Sequence, residues 1–480
     1  MKRRDFVIAV GILAFVLVTR AFCADAPESV ALTVYNDGSA IVRETRTIDV
    51  PKDKGEIRFE EVAATIDPTT VKFRSLTDPE GTSVLEQNFE YDLVNADKLL
   101  QKYLGKEIEV VTQDGTNYSG KLMSCDDGQV VLAEGDNGPL SIIARGENVK
   151  NITCKSLPEG LIVKPTLMWL LKSATGGRQT VEVAYGAGGC GWRADYTAVL
   201  NEKDTALDLS GWVTLTNNSG KTYKDARLKL IAGEVHRVQA EVPEELMERR
   251  SFDMLYEGGP QFEEKTFAEY HMYTLPRPTT VKDRQVKQIE LLTASEVPCE
   301  KKYLFDPMRD FHPWWDRPMT DAEDFSVGQK GKTQVYIIFK NDEKSHMGMP
   351  LPAGRVRLFK FDGKDMEFVG EDNIDHTPQD EKLELLMGNA FDIAGERKRT
   401  NYQGGWGAHW GEESFEINIR NRKKEAVTVC VREHLFRWTN WKIKSASLEY
   451  TKLDAQTIEF PVRLQPDEEQ KVTYTVRYEW

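Results

Sequence analysis

The sequence predicts a mostly β protein, because apolar and polar residues alternate in short segments and turn residues separate those segments. The alternation is clear over Leu207–Thr216 and recurs at Phe415–Ile419 and Val427–Val431. A half-buried strand of an antiparallel sheet has this period, since its successive side chains point to opposite faces. Asparagine, glycine and proline follow such segments at short intervals, which favours a β-sandwich for the last two thirds of the chain.

The first residues have the pattern of a secretory signal peptide. Basic residues 2–4 precede the apolar run Phe6–Val18, which is too short to span a bilayer comfortably. Small residues follow, so we predict a signal peptide over residues 1–23, cleaved after Cys23 or Ala24. This pattern places the mature chain in the periplasm or at the cell surface of a bacterium.

Two alternatives to cleavage are weaker. An uncleaved anchor is disfavoured because Arg20 interrupts the apolar run early. A lipid-modified Cys23 is disfavoured because Phe22 stands where a lipoprotein signal needs a small residue. We therefore expect no lipid on the mature protein.

Charge and hydropathy exclude some classes of partner. The formal net charge is −14, and removal of the leader takes away four basic residues and one acidic residue, which leaves −17. An acidic chain repels nucleic acid, so we expect no nucleic-acid partner. No later stretch is long and apolar enough for a membrane helix, so we expect no transmembrane segment in the mature chain.

The six cysteines predict neither a metal site nor a cofactor. They are widely spaced and contain no Cys-x-x-Cys pair, so the spacing of a zinc site is missing. In an oxidising compartment one or two disulfides are possible, and buried single thiols are an equal alternative.

Three units follow the leader. Residues 27–91 form a small N-terminal β module, in which Asn36, Asp37 and Gly38 make the turn of a hairpin. Residues 92–157 begin with a short amphipathic helix between Asn95 and Gly105 and continue as five short strands. Residues 158–480 form the β-sandwich region, with irregular insertions near 241–266 and 300–330.

The helix with five strands resembles the Sm-like small barrel. The matching residues are Asp114-Gly115, Gly120, Leu122, Leu132 and Ala144-Arg145-Gly146. Gln129 stands where RNA-binding members have an asparagine. The resemblance therefore implies the fold of a five-stranded barrel and no RNA site.

The last two thirds of the chain resembles a family known as domain of unknown function forty-one thirty-nine, whose members are sometimes labelled mucoidy inhibitor A-like. Glycine, proline and tryptophan landmarks with matching spacing carry the resemblance: Gly191-Trp192, Tyr196, Asn217 to Gly220, Gly233, Pro350 to Gly354, Gly370, His376 to Pro378 and Gly388 to Phe391. Many relatives have a long coiled coil where this chain has the Sm-like segment. The family brings no established catalytic residues, so the resemblance implies architecture alone.

No pattern in the sequence indicates a catalytic site. The segment Gly186–Gly191 matches G-x-G-x-x-G, but the strand pattern that follows it favours a glycine-rich hairpin or bulge over a dinucleotide loop, which must open a helix. Cys190 would need a histidine close in space to act as a nucleophile. The seven histidines are scattered, and neither an H-E-x-x-H motif nor a G-x-S-x-G motif is present.

Two aromatic clusters are the candidate binding residues. The first contains Trp314 and Trp315, and the second contains Tyr402, Trp406, His409 and Trp410. Flat rings beside charged residues suit sugar stacking or a protein partner, although the same clusters also occur as packing at the ends of sandwiches.

These patterns predict a non-enzymatic exported envelope protein that binds or scaffolds a protein partner or an envelope glycan. One alternative is a secreted hydrolase that uses carboxylates such as Asp316, Glu412 and Glu413 in an aromatic cleft. Another is a protein associated with an outer-membrane β-barrel, because apolar residues alternate up to the terminal Trp480. Short strands and charged interruptions favour Val472–Trp480 as an inner-face strand of the sandwich.

Overall fold

The computed structural model describes residues 27–90, 95–135, 138–156, 158, 161–233, 262–267, 269–310, 318–319 and 328–480. The predicted signal peptide over 1–23 and most of the predicted insertion at 241–266 lie outside these residues. The described chain is mostly β, as predicted. No helix in these ranges has the length and apolar character that a membrane span requires.

The elements of the first half are strands around a short helix. They are β1 (Ser29–Tyr35), β2 (Ser39–Val50), β3 (Asp53–Glu60), β4 (Ile66–Ser75), β5 (Thr82–Glu90), α1 (Ala96–Lys102), β6 (Glu107–Thr112), β7 (Asn117–Cys125), β8 (Gln129–Ala133), β9 (Leu140–Ala144), β10 (Val149–Cys154), β11 (Thr166–Ser173), β12 (Gly177–Gly188), β13 (Cys190–Leu200), β14 (Ala206–Asn217) and β15 (Tyr223–Ala232).

Strands also dominate the second half. They are β16 (Glu263–Phe267), β17 (Tyr270–Thr274), β18 (Thr279–Val281), β19 (Gln285–Phe305), β20 (Gly328–Lys340), β21 (Gly354–Phe361), β22 (Met366–Ile374), β23 (Lys382–Gly405), β24 (Trp410–Asn421), β25 (Val427–His434), β26 (Trp441–Ala446), β27 (Thr451–Lys452), β28 (Thr457–Leu464) and β29 (Glu469–Glu479).

The N-terminal strands share a sheet with later strands. β1 and β2 form the predicted hairpin, and Gly38 in its turn has a φ of 86°, in the left-handed region that glycine adopts without strain. On its other edge β1 pairs in parallel with β15, with Ala31 opposite Arg227. The eight-stranded sheet has the order β16-β17-β15-β1-β2-β12-β4, with β18 on β15. This sheet therefore joins the predicted unit 27–91 to the predicted unit 158–480.

A three-stranded sheet of order β3-β11-β5 shares the core of the eight-stranded sheet. Trp169 of β11 is fully buried, with its ring centroid 5.1 Å from those of both Phe59 and Phe73. Its indole N–H donates to Gln87 Oε1 at 2.8 Å. A large side chain buried with its polar atom satisfied stabilises this core without the cost of an unmade hydrogen bond.

The helix and five short strands form a separate unit inside the β5–β11 hairpin. β5 pairs directly with β11, with Glu90 opposite Thr166, and the residues between them include α1 and β6 to β10. Asn95 caps α1 by accepting a hydrogen bond from the Lys98 N–H at 2.8 Å. The sheet order is β10-β6-β7-β8-β9, and the unit has its own apolar core. Its likeness to the Sm-like barrel stays a prediction.

A thirteen-stranded sheet runs through the second half of the chain. Its main path is β22-β21-β13-β14-β19-β20-β23-β24-β29-β26, and β25, β27 and β28 attach beside β19. β19 pairs with β14 along its first part and with β20 and β25 along its last residues. One long strand therefore contributes side chains to both large apolar cores.

Parts of both predicted irregular insertions are strands: the end of the insertion near 241–266 and the start of the insertion near 300–330. Residues 263–267 are strand β16, and residues 300–305 continue β19. Lys301 and Lys302 obscured the second strand because they break its apolar pattern. Both lysines are paired, with Asp204 at 2.8 Å and with Glu459 at 3.0 Å, so their charges are compatible with a partly buried strand.

The last strands form a two-layered sandwich. β24 and β29 bury apolar side chains in the same core as β25 and β28. Along β29, Val472, Tyr474, Val476 and Tyr478 are at most 2% exposed. The prediction of an inner-face strand is therefore confirmed over Val472–Glu479, and Trp480 follows the strand.

Three buried asparagines lie at or directly after strand ends and hold the turns that follow. The side-chain N–H of Asn217 donates to the backbone carbonyl four residues later at 2.8 Å, and Asn421 makes the same contact at the same distance. Asn341 donates to the Met349 carbonyl at 2.8 Å. In each case the amide oxygen accepts a backbone N–H of the same turn, so one side chain satisfies groups that the strand leaves unpaired.

Candidate functional site

The second aromatic cluster lies where β23 turns into β24. Tyr402 is near the end of β23, Trp406 begins the short 3-10 turn Trp406–Ala408, and Trp410 opens β24. His409 is exposed and has a φ of 56°, and its carbonyl accepts the N–H of the terminal Trp480 at 3.1 Å. The side chain of Trp406, and all of Trp314 and Trp315, lie outside the described residues.

The register of β23 and β24 separates Tyr402 from Trp410. Tyr402 is opposite Glu413, whereas Trp410 is opposite Gly405 and, on its other side, Glu479. Side chains at odd and even positions of β24 point to opposite faces. Tyr402 and Glu413 thus face the sandwich interior, and Trp410 faces outward. The predicted cluster is divided between two sites.

The inner site is a group of charged and aromatic side chains at the end of the sandwich core. Glu413 is 2% exposed and accepts hydrogen bonds from Arg399 at 3.2 Å and Arg437 at 2.7 Å. The Tyr402 ring lies 5.1 Å from the Arg399 guanidinium and 4.8 Å from that of Arg437. Burial alone would lower the pKa of Arg437, but Glu413 holds this pKa above its ordinary value, so the charge is retained.

One residue next to the first aromatic cluster in the sequence also reaches this end of the sandwich. The Met319 N–H donates to the Arg437 carbonyl at 3.0 Å, and Arg437 Nη1 donates to the Met319 carbonyl at 2.7 Å. Arg437 therefore connects Glu413, Tyr402 and Met319. Each charged side chain of this inner site is paired within the protein, so these contacts stabilise the end of the sandwich.

A second charged group lies deeper in the same core. Arg397 Nε donates to Glu433 at 2.8 Å, and the Tyr474 hydroxyl donates to the same oxygen at 2.5 Å. The Arg397 guanidinium lies 4.0 Å above the centre of the Phe415 ring. Burial and Glu433 raise the pKa of Tyr474 well above its ordinary value, so the hydroxyl keeps the proton that it donates.

The N-terminal core repeats this arrangement with different residues. Arg46 lies 4.0 Å above the Phe59 ring and binds Glu44, which also accepts the Tyr185 hydroxyl at 2.9 Å. Lys221 completes the group by donating to Glu44. No sequence motif indicates either group. The N-terminal group could have been predicted from strand β2, where two opposite charges occupy inward-facing positions among apolar residues. These inward-facing positions are Ala40, Val42, Glu44, Arg46 and Ile48.

The outer site is the solvent-facing end of β24 and β29. Arg477 lies 4.6 Å above the Trp410 ring and donates to Glu479 at 2.9 Å. Glu412 is opposite Arg477 on one side and Gln403 on the other. This arrangement combines an aromatic ring with donors and acceptors of both charges, all within reach of solvent, and is suited to binding a polar ligand or a protein surface.

The structure separates the two candidate catalytic carboxylates that it describes. Glu412 and Glu413 point to opposite faces of β24, so they share no cleft, and Asp316 lies outside the described residues. Cys190 is 1% exposed and donates to Asn217 Oδ1 at 3.2 Å, and burial raises the pKa of its thiol. No group of three or more metal-ligating side chains occurs in the ranges described above.

The glycine-rich segment is a corner between two sheets. β12 ends at Gly188, Gly189 has a φ of 71°, and β13 begins at Cys190. A side chain on Gly189 would lie 2.9 Å from the Asn218 carbonyl oxygen, so this close approach requires glycine. A dinucleotide-binding loop leads into a helix, whereas a strand follows these glycines, so this segment does not have the arrangement of such a loop.

Comparison with known families agrees with the landmarks in the sequence. The model of the family described as Domain of unknown function (DUF4139) matches residues 181–480. The match begins within β12 and extends to the end of β29, so it includes both the inner and the outer site. The comparison with curated proteins gives no match. Because the family model covers more than half of the chain, the protein belongs to the DUF4139 family.

Proposed function

We propose that this chain is a non-enzymatic protein exported to the bacterial envelope, where it binds or scaffolds a protein partner or an envelope glycan. The outer site around Trp410 is the observation on which the binding role rests. There the ring and its charged neighbours Arg477, Glu412 and Glu479 face solvent, whereas the inner site uses its charges within the protein. Aromatic rings beside arginine are common at the energetic centre of binding surfaces.

Export rests on the leader pattern, which an intact-mass measurement tests. We expect protein from the native envelope fraction to begin near Ala24 or Asp25, because small residues follow the apolar run at that point. A mass that retains residues 1–20, or that carries lipid on Cys23, would contradict this prediction.

Replacement of Trp410 with alanine tests the binding role. We expect W410A to reduce retention of the mature protein on isolated envelope fragments about tenfold, since loss of an anchor aromatic at a binding surface costs roughly 1–2 kcal/mol. The measurement is co-sedimentation over a range of fragment concentrations. Fragments treated with a protease or with a glycan-cleaving enzyme distinguish a protein partner from a glycan.

The matched control is Phe368→Ala. Phe368 is an aromatic residue of β22 that is 55% exposed. Several strands separate β22 from β24 in the thirteen-stranded sheet. F368A should be retained like the unchanged protein. If W410A and the unchanged protein are retained equally, the proposed role of the outer site is wrong. It is also wrong if none of the envelope fragments retains the unchanged protein.

A further inference from the structure

A second group of aromatic and charged side chains lies in the thirteen-stranded sheet, where β13, β14 and β19 are adjacent. Trp212 of β14 is opposite Asp195 on one side and Glu290 on the other. Cα partners in neighbouring strands point their side chains to the same face. The neighbouring positions Ala194, Val213 and Ile289 are buried in the core, so the row of Asp195, Trp212 and Glu290 occupies the opposite face.

The Trp212 ring is partly exposed and makes no hydrogen bond, ring contact or cation–π contact with any residue that the structure describes. Trp192 and Trp410 do have such partners: Trp192 donates to the Ile231 carbonyl at 3.2 Å, and Trp410 lies under Arg477. Tyrosine and tryptophan place a polar atom beside a large apolar surface, and both parts normally find a partner. Trp212 is therefore a partly exposed indole without such a partner among the described residues.

The two carboxylates beside Trp212 are buried but differ in their partners. Asp195 is 7% exposed and accepts hydrogen bonds from the Thr214 hydroxyl at 2.6 Å and Arg193 Nε at 3.1 Å. Glu290 is 3% exposed, and its partner in the described chain is the Thr293 hydroxyl at 2.7 Å. A carboxylate has about four acceptor positions, so a single hydroxyl leaves most of the capacity of Glu290 unused.

The charges of this row decide between a cationic and a neutral ligand. Arg193 binds Asp195, and Arg355 of β21 is opposite Asp195 on its other edge. Arg355 lies 3.6 Å from Glu371, which is also 3.9 Å from Arg357. Three arginines thus accompany three carboxylates, and this balance removes the excess negative charge that would attract an ammonium group. Hydroxyl and amide groups lie near the ring. Ser210 and Thr214 are two residues before and after Trp212 on β14, so they share its face, and Gln288 of β19 is opposite Thr214.

We propose that this face, which we name the Trp212 face, binds a neutral saccharide. The C–H face of a sugar ring stacks on Trp212, and the sugar hydroxyls donate to Glu290 and to the free acceptor positions of Asp195. A small number of polar groups around an aromatic surface fixes the orientation of such a ligand. The proposal does not rest on the outer site at Trp410, which lies on different strands.

Titration of the mature protein with soluble oligosaccharides tests the Trp212 face. The probes are cellotetraose, maltotetraose and the tetramer of N-acetylglucosamine, each followed by isothermal titration calorimetry. We expect at least one of them to bind, W212A to weaken that binding at least tenfold, and E290Q to weaken it severalfold. W212F should keep part of the affinity, because the ring remains while the indole N–H is lost.

The matched control is F391A, which should bind the oligosaccharide within about twofold of the unchanged protein, because Phe391 is a fully exposed aromatic residue of β23, outside this face. W410A is measured beside it. Thermal unfolding followed by circular dichroism checks that each variant is folded. Three outcomes overturn the proposal: no probe binds, folded W212A binds like the unchanged protein, or tetralysine binds in place of the saccharides. Loss of binding in W410A alone would assign the saccharide to the outer site and would also overturn the proposal.

Discussion

Replacement of Arg397 with methionine is expected to lower the free energy of unfolding by about 3–5 kcal/mol, because it leaves a buried carboxylate without its cation. Glu433 has no exposed surface, and Arg397 is 2% exposed. In R397M the Tyr474 hydroxyl still donates to Glu433, but one neutral donor does not offset the cost of burying the charge. Urea unfolding of the mature protein, followed by tryptophan fluorescence, measures the difference.

Arg74→Met is the matched control for this prediction. Arg74 binds Glu182 at 3.0 Å, a distance similar to that of the Arg397–Glu433 pair, but its side chain is 63% exposed. The loss in R74M should be about 0–1 kcal/mol, as for other exposed ion pairs. If R397M and R74M lose the same free energy, burial is not what makes the Arg397–Glu433 pair important.

Deletion of residues 472–480 is expected to abolish the soluble folded state. The deletion removes most of β29, which pairs with β24 on one side and with β26 on the other. It also removes four buried side chains, each of which contributes about 1.5–3 kcal/mol. Their sum is comparable to the whole stability of a typical domain, about 5–15 kcal/mol. The measurement is the soluble fraction after expression, together with size-exclusion chromatography.

Deletion of Trp480 alone is the control, because it leaves every strand pair of β29 in place. This shorter chain should remain soluble. A soluble chain without residues 472–480 that still unfolds cooperatively would contradict the assignment of β29 to the inner layer.

Local alternation predicted individual strands well but not their partners. The pattern at Leu207–Thr216 lies within β14, and the pattern at Val427–Val431 lies within β25. The period of two arises from neighbouring residues, so it is visible in a single segment. The pairing of β1 with β15 depends on residues far apart in the sequence, and no local pattern encodes it. The predicted units 27–91 and 158–480 therefore contribute strands to one sheet.

The candidate site was predicted less well than the strands. Tyr402 and Trp410 are close in the sequence, but the short turn at Trp406–Ala408 determines which residues of β23 and β24 are opposite each other. A shift by one residue moves a side chain to the other face, so the division between inner and outer site depends on the register. Trp212 lies within the alternating segment Leu207–Thr216, but its two carboxylate neighbours come from other strands.

The position of the helix-containing unit inside the β5–β11 hairpin has a consequence for the order of folding. Every strand pair of β6 to β10 lies within residues 107–154, whereas β1 pairs with the far more distant β15, with Ala31 opposite Arg227. Local contacts form faster than distant ones. Once this unit folds, its first and last strands are adjacent, and Lys155 lies 2.6 Å from Glu107. An early folding unit therefore shortens the free chain between β5 and β11, and reduces the entropy that later pairing must overcome.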